Sequence, residues 1–239
     1  MNWTMFKYFG FFFVLLQLGD LRAQGTDSLW HTSLIRLYTD SLGENLQLYE
    51  GFEFASGYRR SAGHPFFEFE QPSLSRITYK NSVYEGVYLA YDLTRDEIIS
   101  INPASRQFIQ LIKSKINSFT IGGHQFVHLR PDSVKTAFPG EGFYDLLLEG
   151  PMVVYARRRK SLREPARAED PARFVPSTTY YIEKNGTYYL VDSRKSLLKI
   201  CGDHRSEVSK YMQSEKLDFK REREQTIIRV IRFYQQFLK

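Results

Sequence analysis

The chain has one cysteine, Cys201, in 239 residues. No intramolecular disulfide can form, and there is no Cys-x-x-Cys pair for metal or redox work. The fold must therefore rest on its apolar core. Cys201 closes the helical run Leu197-Leu198-Lys199-Ile200-Cys201 and reads as a small buried hydrophobe. The short catalytic motifs are also missing. There is no GxSxG, HExxH, GxxxxGK[ST] or GxGxxG, so no such signature points to acyl transfer, zinc hydrolysis or nucleotide binding. Long apolar runs are scarce too. The run over 8–18 is shorter than the roughly 20 residues a membrane-spanning helix needs.

That run has a different meaning. Lys7 precedes it, Gly19 and Asp20 break it, and Leu21-Arg22-Ala23 leads to Gln24. A basic start, a short apolar core and a small-residue exit make a secretory signal. The expectation is cleavage after Ala23 and an exported product, periplasmic or extracellular. No cysteine adjoins the cut, so a lipoprotein anchor is not expected.

Charge is unevenly spread. Residues 24–154 carry 11 Lys+Arg against 15 Asp+Glu, and residues 155–239 carry 20 against 11. The basic half suggests an anionic partner, either a membrane surface or an envelope protein. Nucleic acid is not expected in that compartment, and no cofactor is implied.

What the chain has in plenty is aromatics, 19 Phe and 16 Tyr, which favour half-buried strands. Hairpins are predicted around Asn81-Ser82, Thr94-Arg95-Asp96, Gly122-Gly123, Gly150-Pro151 and Asn185-Gly186. Two-residue turns would pair Phe119 with Phe126 and Ile182 with Tyr189. Residues 158–173, charged and twice broken by proline, predict a long mobile loop. From 193 onward the apolar period becomes helical. Ser193, Asp203 and Asp218 are predicted to cap three helices, and Ile227, Val230, Ile231, Tyr234 and Leu238 form one face of the third. The fold class expected is α+β. An antiparallel β-meander, open or curved, fills 24–192, and helices packed on it fill 193–239.

Candidate site residues are few. His64 precedes Pro65, which holds it extended before Phe66-Phe67. It could line a cleft, or bond a carbonyl while the rings fill the core. His124 and His128 share a strand face, but i and i+4 on a strand lie about 13 Å apart at ~3.3 Å per residue, too far for one metal. His124 reads as a half-exposed structural or ligand-contacting histidine. Arg157, Arg158 and Arg159 could grip an anion, or form part of a solvated loop. Asp92, Asp96 and Glu97 read as a solvated hairpin end.

Four stretches carry a resemblance: 62–67 (AGHPFF), 118–126 (SFTIGGHQF), 142–147 (GFYDLL) and 196–203 (SLLKICGD). Together they resemble exported Gram-negative bacterial proteins of this size whose function is not established. The shared features are turns, core aromatics and caps, so the resemblance implies no catalytic residue. The architecture is also similar to the carriers that move lipoproteins across the periplasm, curved half-barrels closed by helices. That likeness implies a greasy cavity lined by Tyr91, Phe119 and Phe126. A hydrolase with His64 or Asp92 in a cleft is the remaining alternative.

Overall fold

The computed structural model describes residues 47–55, 57–58, 61–131, 137–164, 167 and 170–238. Residues 1–23, with the expected cut at Ala23, lie outside them. Among the described residues twelve strands form one sheet: β1 (Phe52–Glu53), β2 (Ser61–Ala62), β3 (Ser73–Tyr79), β4 (Ser82–Asp92), β5 (Glu97–Ile101), β6 (Phe108–Gln110), β7 (Ile116–Ile121), β8 (His124–Leu129), β9 (Gly142–Leu148), β10 (Met152–Arg163), β11 (Ala172–Lys184) and β12 (Thr187–Leu190). Three helices follow, α1 (Arg194–Ile200), α2 (Arg205–Ser214) and α3 (Arg223–Tyr234). The architecture is α+β, an open and almost wholly antiparallel sheet with C-terminal helices. Among the described residues no helix is long and apolar enough to cross a membrane.

The strand order is β1-β6-β5-β4-β3-β7-β8-β9-β10-β11-β12, with β2 added in parallel to β11. It departs from a simple meander where β1 pairs with β6, where β2 joins β11 and where β3 pairs with β7. After β6 the chain returns through a 3₁₀ turn at Lys113–Lys115, and β7 pairs with β3. The Lys80 amide donates to Lys115 O across that return.

Three tight turns set the register. Lys80-Asn81, Gly122-Gly123 and Asn185-Gly186 all have two positive φ angles, the backbone that matches strand twist in a two-residue hairpin. The first turn lies one residue earlier than the sequence suggests, because Tyr79 faces Ser82. The expected pairs Phe119↔Phe126 and Ile182↔Tyr189 are present.

Alternation splits the sheet into two faces. On one face, Ile77, Leu89, Tyr91, Phe119, Phe126 and Phe143 pack under Leu48 and Phe67. Further along the same face, Val154, Ala156, Tyr180 and Ile182 pack under the helices. The opposite face carries a smaller tyrosine cluster of Tyr144, Tyr155 and Tyr188. α3 buries Ile227, Val230, Ile231 and Tyr234, each worth roughly 1.5–3 kcal/mol when fully buried.

The expected mobile loop over 158–173 is a correction. β10 and β11 pair residue for residue from Met152↔Lys184 to Arg163↔Arg173, so only 164–171 lies outside the two strands. The charges are tolerated because a strand sends alternate side chains to opposite faces, and long basic stems cover apolar surface while their heads stay polar. Two caps also differ. Ser193 caps α1 with a reciprocal bond to Ser196, but α2 starts after His204 without a side-chain cap, and Asp203 sits in the preceding 3₁₀ turn. Asp218 accepts from the Lys220 and Arg221 amides in a turn that begins four residues before the α3 cap position, Glu222.

Candidate functional site

The sheet and helices meet at a polar seam between the two parts of the core. β9 places Asp145 there opposite Phe126 of β8 and Ala156 of β10. Its side chain is 1 % exposed. One oxygen, Oδ2, takes three contacts: His124 Nδ1 at 2.8 Å, Arg158 Nε at 2.8 Å and Arg158 Nη2 at 2.6 Å. Arg158 reaches on to Glu224 Oε2 of α3 at 2.9 Å. The Tyr180 hydroxyl donates to the same carboxylate at 3.1 Å. Burial opposes the charge on Arg158, but Glu224 and Asp145 outweigh it, so the guanidinium is held charged more firmly than usual. Burial and the Glu224 charge push the Tyr180 hydroxyl up to about 12.

His124 is the hinge of this seam. Its Nε2 lies 3.5 Å from Glu68 Oε1, and Phe67 meets its ring edge-on at 5.1 Å. Glu68 gets that close because Gly122 has no side chain. A Cβ there would collide with the Glu68 carboxylate, and φ of +59 also favours glycine. Both imidazole nitrogens thus face carboxylates. A histidine so placed bonds Asp145 through Nδ1 and leaves Nε2 beside the Glu68 carboxylate.

The other expected residues lie elsewhere. The arginine run does not converge, because it lies on a strand. Arg158 points into the seam, whereas Arg157 turns to the tyrosine face, donating to Pro139 O at 3.1 Å, Tyr144 Oη at 2.7 Å and Glu141 O at 2.8 Å. Arg159 is exposed. His64 is half-buried, with Nδ1 lacking a partner. Burial and the nearby Lys160 charge lower its pKa. Lys160 donates to His64 O at 2.9 Å and Phe66 O at 2.6 Å, tying this segment to β10. Phe67 enters the core, but Phe66 is only half-buried and His64 Nδ1 bonds no carbonyl.

His128 faces inward, with Nδ1 2.9 Å from Ile116 O and Nε2 3.1 Å from Glu141 Oε1. Burial lowers its pKa even so. The hairpin end at 92–97 is a second correction, because its Asp92 and Asp96 are buried while Arg95 is exposed. Asp92 accepts from the Thr94 and Arg95 amides and from the Tyr58 hydroxyl. Asp96 accepts from Tyr91 Oη at 2.6 Å and Lys113 Nζ at 2.6 Å. A greasy cavity at Tyr91, Phe119 and Phe126 is likewise not what these side chains build. The three rings touch one another at centroid distances of 5.0–5.3 Å and are at most 2 % exposed.

A different surface is left open. The start of α1, the end of α2 and the approach to α3 enclose a groove of about 570 Å³. Its floor is Met212, Leu217 and Phe219; its rim includes Arg194, Lys216, Lys220 and Arg223. Arg223 lies over the Phe219 ring at 5.3 Å. The carboxylates nearby are occupied. Asp192 is held below its ordinary range by the Ser196 and Ser193 hydroxyls, and Asp218 by the amides it caps. Among the described residues, neither the Lys216 nor the Lys220 ammonium pairs with a carboxylate. A second groove, of about 470 Å³, shares Lys220 and Arg223 and runs to Thr178 and Tyr180 of β11. The helical period gives Arg221, Glu222 and Glu224 only an outward face opposite Ile227, Val230 and Ile231, with no sign of a groove.

No protein-family model matches the chain, and no curated protein or solved structure is significantly similar to it. The class that fold and site define is therefore structural: an open antiparallel sheet, backed by three helices, with a basic groove beside its last long strand.

Proposed function

We propose that this chain is a non-enzymatic binding protein of the bacterial cell envelope. In this reading residues 1–23 direct export, and the groove among α1, α2 and α3 receives an anionic partner. One contrast carries the reading. The Asp145, Arg158 and Glu224 side chains of the seam are committed to one another, whereas among the described residues Lys216 and Lys220 form no close ion pair over an apolar floor. Cations beside an apolar surface attract an anion and then bury part of it. The carrier alternative draws no support from Tyr91, Phe119 and Phe126, whose rings fill their own space. The hydrolase alternative draws none from Asp92, whose oxygens already accept three hydrogen bonds.

The test has two parts. A denaturing mass of protein from its own host's periplasm should correspond to 24–239; a full-length mass would reject export with cleavage. A photocrosslinker in place of Gln213, on the groove wall, should capture a partner in whole cells. Capture should be lost in the Lys216→Glu, Lys220→Glu background and exceed that from a crosslinker at exposed Arg106. Equal capture at 213 and 106 would refute the groove.

A further inference from the structure

The long strand β11 has one edge that is only partly covered. β10 pairs along all of it, from Met152↔Lys184 to Arg163↔Arg173. On the other edge β12 covers Tyr181 to Lys184, and β2 covers Ala172 and Arg173. Among the described residues no strand pairs with that edge between Phe174 and Tyr180.

The polarity of the open stretch follows from one bond. The Val191 amide donates to Tyr180 O, so Tyr180 turns its backbone toward the β12 side. Backbone direction alternates along a strand. Thr178 and Pro176 therefore turn theirs the same way, and residues 177 and 179 turn theirs to β10. Proline is tolerated within a thirteen-residue strand here because its nitrogen faces the open edge, where no ladder bond is lost. Among the described residues no strand takes up the Thr178 N–H and C=O or the Pro176 C=O. A free edge of this kind is a template for another strand.

This stretch also runs beside the second groove, whose lining joins Thr178 and Tyr180 to residues 220–225. Three of those are cations: Lys220, Arg221 and Arg223. Of the two acids there, Glu224 is bound to Arg158 and Tyr180; Asp218 lies 3.6 Å from Arg221, and Glu222 is the other acid of the lining beside Lys220 and Arg223. A strand laid on the edge would send alternate side chains toward this basic wall.

We propose that an extended acidic segment of a partner protein docks on the open edge of β11 as an added strand, with its carboxylates against Lys220 and Arg223. The proposal rests on the groove reading above and names the kind of partner. Main-chain bonds to Thr178 and Pro176 supply the pairing, and the basic wall selects the charge.

The probe is a seven-residue peptide of alternating valine and glutamate, with capped ends, titrated into the mature protein by calorimetry. Saturable binding is expected, together with slowed amide hydrogen exchange at Thr178. Alternate N-methylation of the peptide on its pairing edge should weaken binding at least tenfold, as should the Lys220→Glu, Arg223→Glu variant. The valine–lysine counterpart should not bind. Thr178→Pro removes the edge N–H without removing a ladder bond and should also abolish binding; if that variant fails to fold, the N-methylated peptides still decide. Binding lost in the charge variant but unaffected by N-methylation, with Thr178 exchange unchanged, would overturn strand addition while leaving the groove intact. No binding of the acidic peptide at millimolar concentration would also overturn strand addition. Equal binding of the lysine peptide would overturn the acidic specificity. Charge-dependent flotation with phosphatidylglycerol vesicles in place of peptide binding would assign the groove to a membrane surface and overturn the proposal.

Discussion

Replacing Arg158 with methionine keeps an unbranched apolar side chain on β10 but removes the guanidinium from the seam. Asp145 then loses contacts at 2.8 and 2.6 Å, and Glu224 loses its cation. The Asp145 side chain is 1 % exposed and that of Arg158 15 %, so water screens this pair far less than a surface bridge. Breaking a buried pair from one side costs about 3–5 kcal/mol, because a buried charge is left behind. His124 still faces Asp145 Oδ2 at 2.8 Å, which favours the lower end, about 3 kcal/mol. For a domain of this size each kcal/mol lowers the melting temperature by about 2–4 °C, so a drop of roughly 6–12 °C is expected.

The assay is urea unfolding at pH 7, with m-values compared so that midpoints report stability. The second arm separates loss of the pair from loss of packing. Asp145→Leu with Arg158→Met removes both charges, and a buried pair replaced by apolar groups is often close to neutral. The double variant should be at least about 1 kcal/mol more stable than Arg158→Met alone. A single substitution costing under about 1 kcal/mol would mean that water reaches the pair. A double variant as unstable as the two single losses combined would mean that Asp145 and Arg158 do not act as a unit.

Tyr91→Phe deletes a hydroxyl that donates to Asp96 Oδ1 at 2.6 Å from a residue 1 % exposed. Asp96 keeps Lys113, so the loss should be about 1–3 kcal/mol by urea midpoint; an unchanged midpoint would contradict the bond. Stability should also fall on mild acidification. Burial lowers the pKa of both His64 and His128, so the unfolded chain takes up protons first as pH drops below about 6.5. In that window the unfolded state binds more protons, and stability falls with pH. It is full above the unfolded value, is lost as pH falls through the folded values, and levels off below them. The urea midpoint should be lower at pH 5 than at pH 7; a higher midpoint at pH 5 would show that protonating these rings stabilises the fold.

What was legible in the sequence was local. Gly122-Gly123 and Asn185-Gly186 announce their turns, and a turn of two residues fixes who faces whom, so Phe119↔Phe126 could be written down in advance. The α3 face was legible for the same reason, because a helical period needs only its own residues. The seam was not legible. Asp145 lies 21 residues from His124, and Arg158 lies 66 residues from Glu224. No spacing links them until β8, β9, β10 and α3 are side by side. The return from β6 to β7, which separates neighbouring segments in the sheet, gives no local signal either. The loop expected at 158–173 failed because a run of charges resembles solvated chain when only composition is read.

That failure bears on where the useful charge lies. The basic excess of residues 155–239 counts Arg157 and Arg158 in full. Yet Arg158 is neutralised by Asp145 and Glu224, and the Arg157 guanidinium donates to two backbone carbonyls and a tyrosine hydroxyl. A strand can spend adjacent arginines in this way because neighbouring residues face opposite sides and meet different partners. A turn between helices spends its charges differently. Lys216, with φ of +52, and Lys220 stand on the connection between α2 and α3, where the backbone is capped by Asp218 and, among the described residues, neither ammonium group forms a close ion pair. The field that a partner meets is therefore set by 216–223 more than by the denser run at 157–160. The two segments differ less in charge than in what the fold leaves beside each cation.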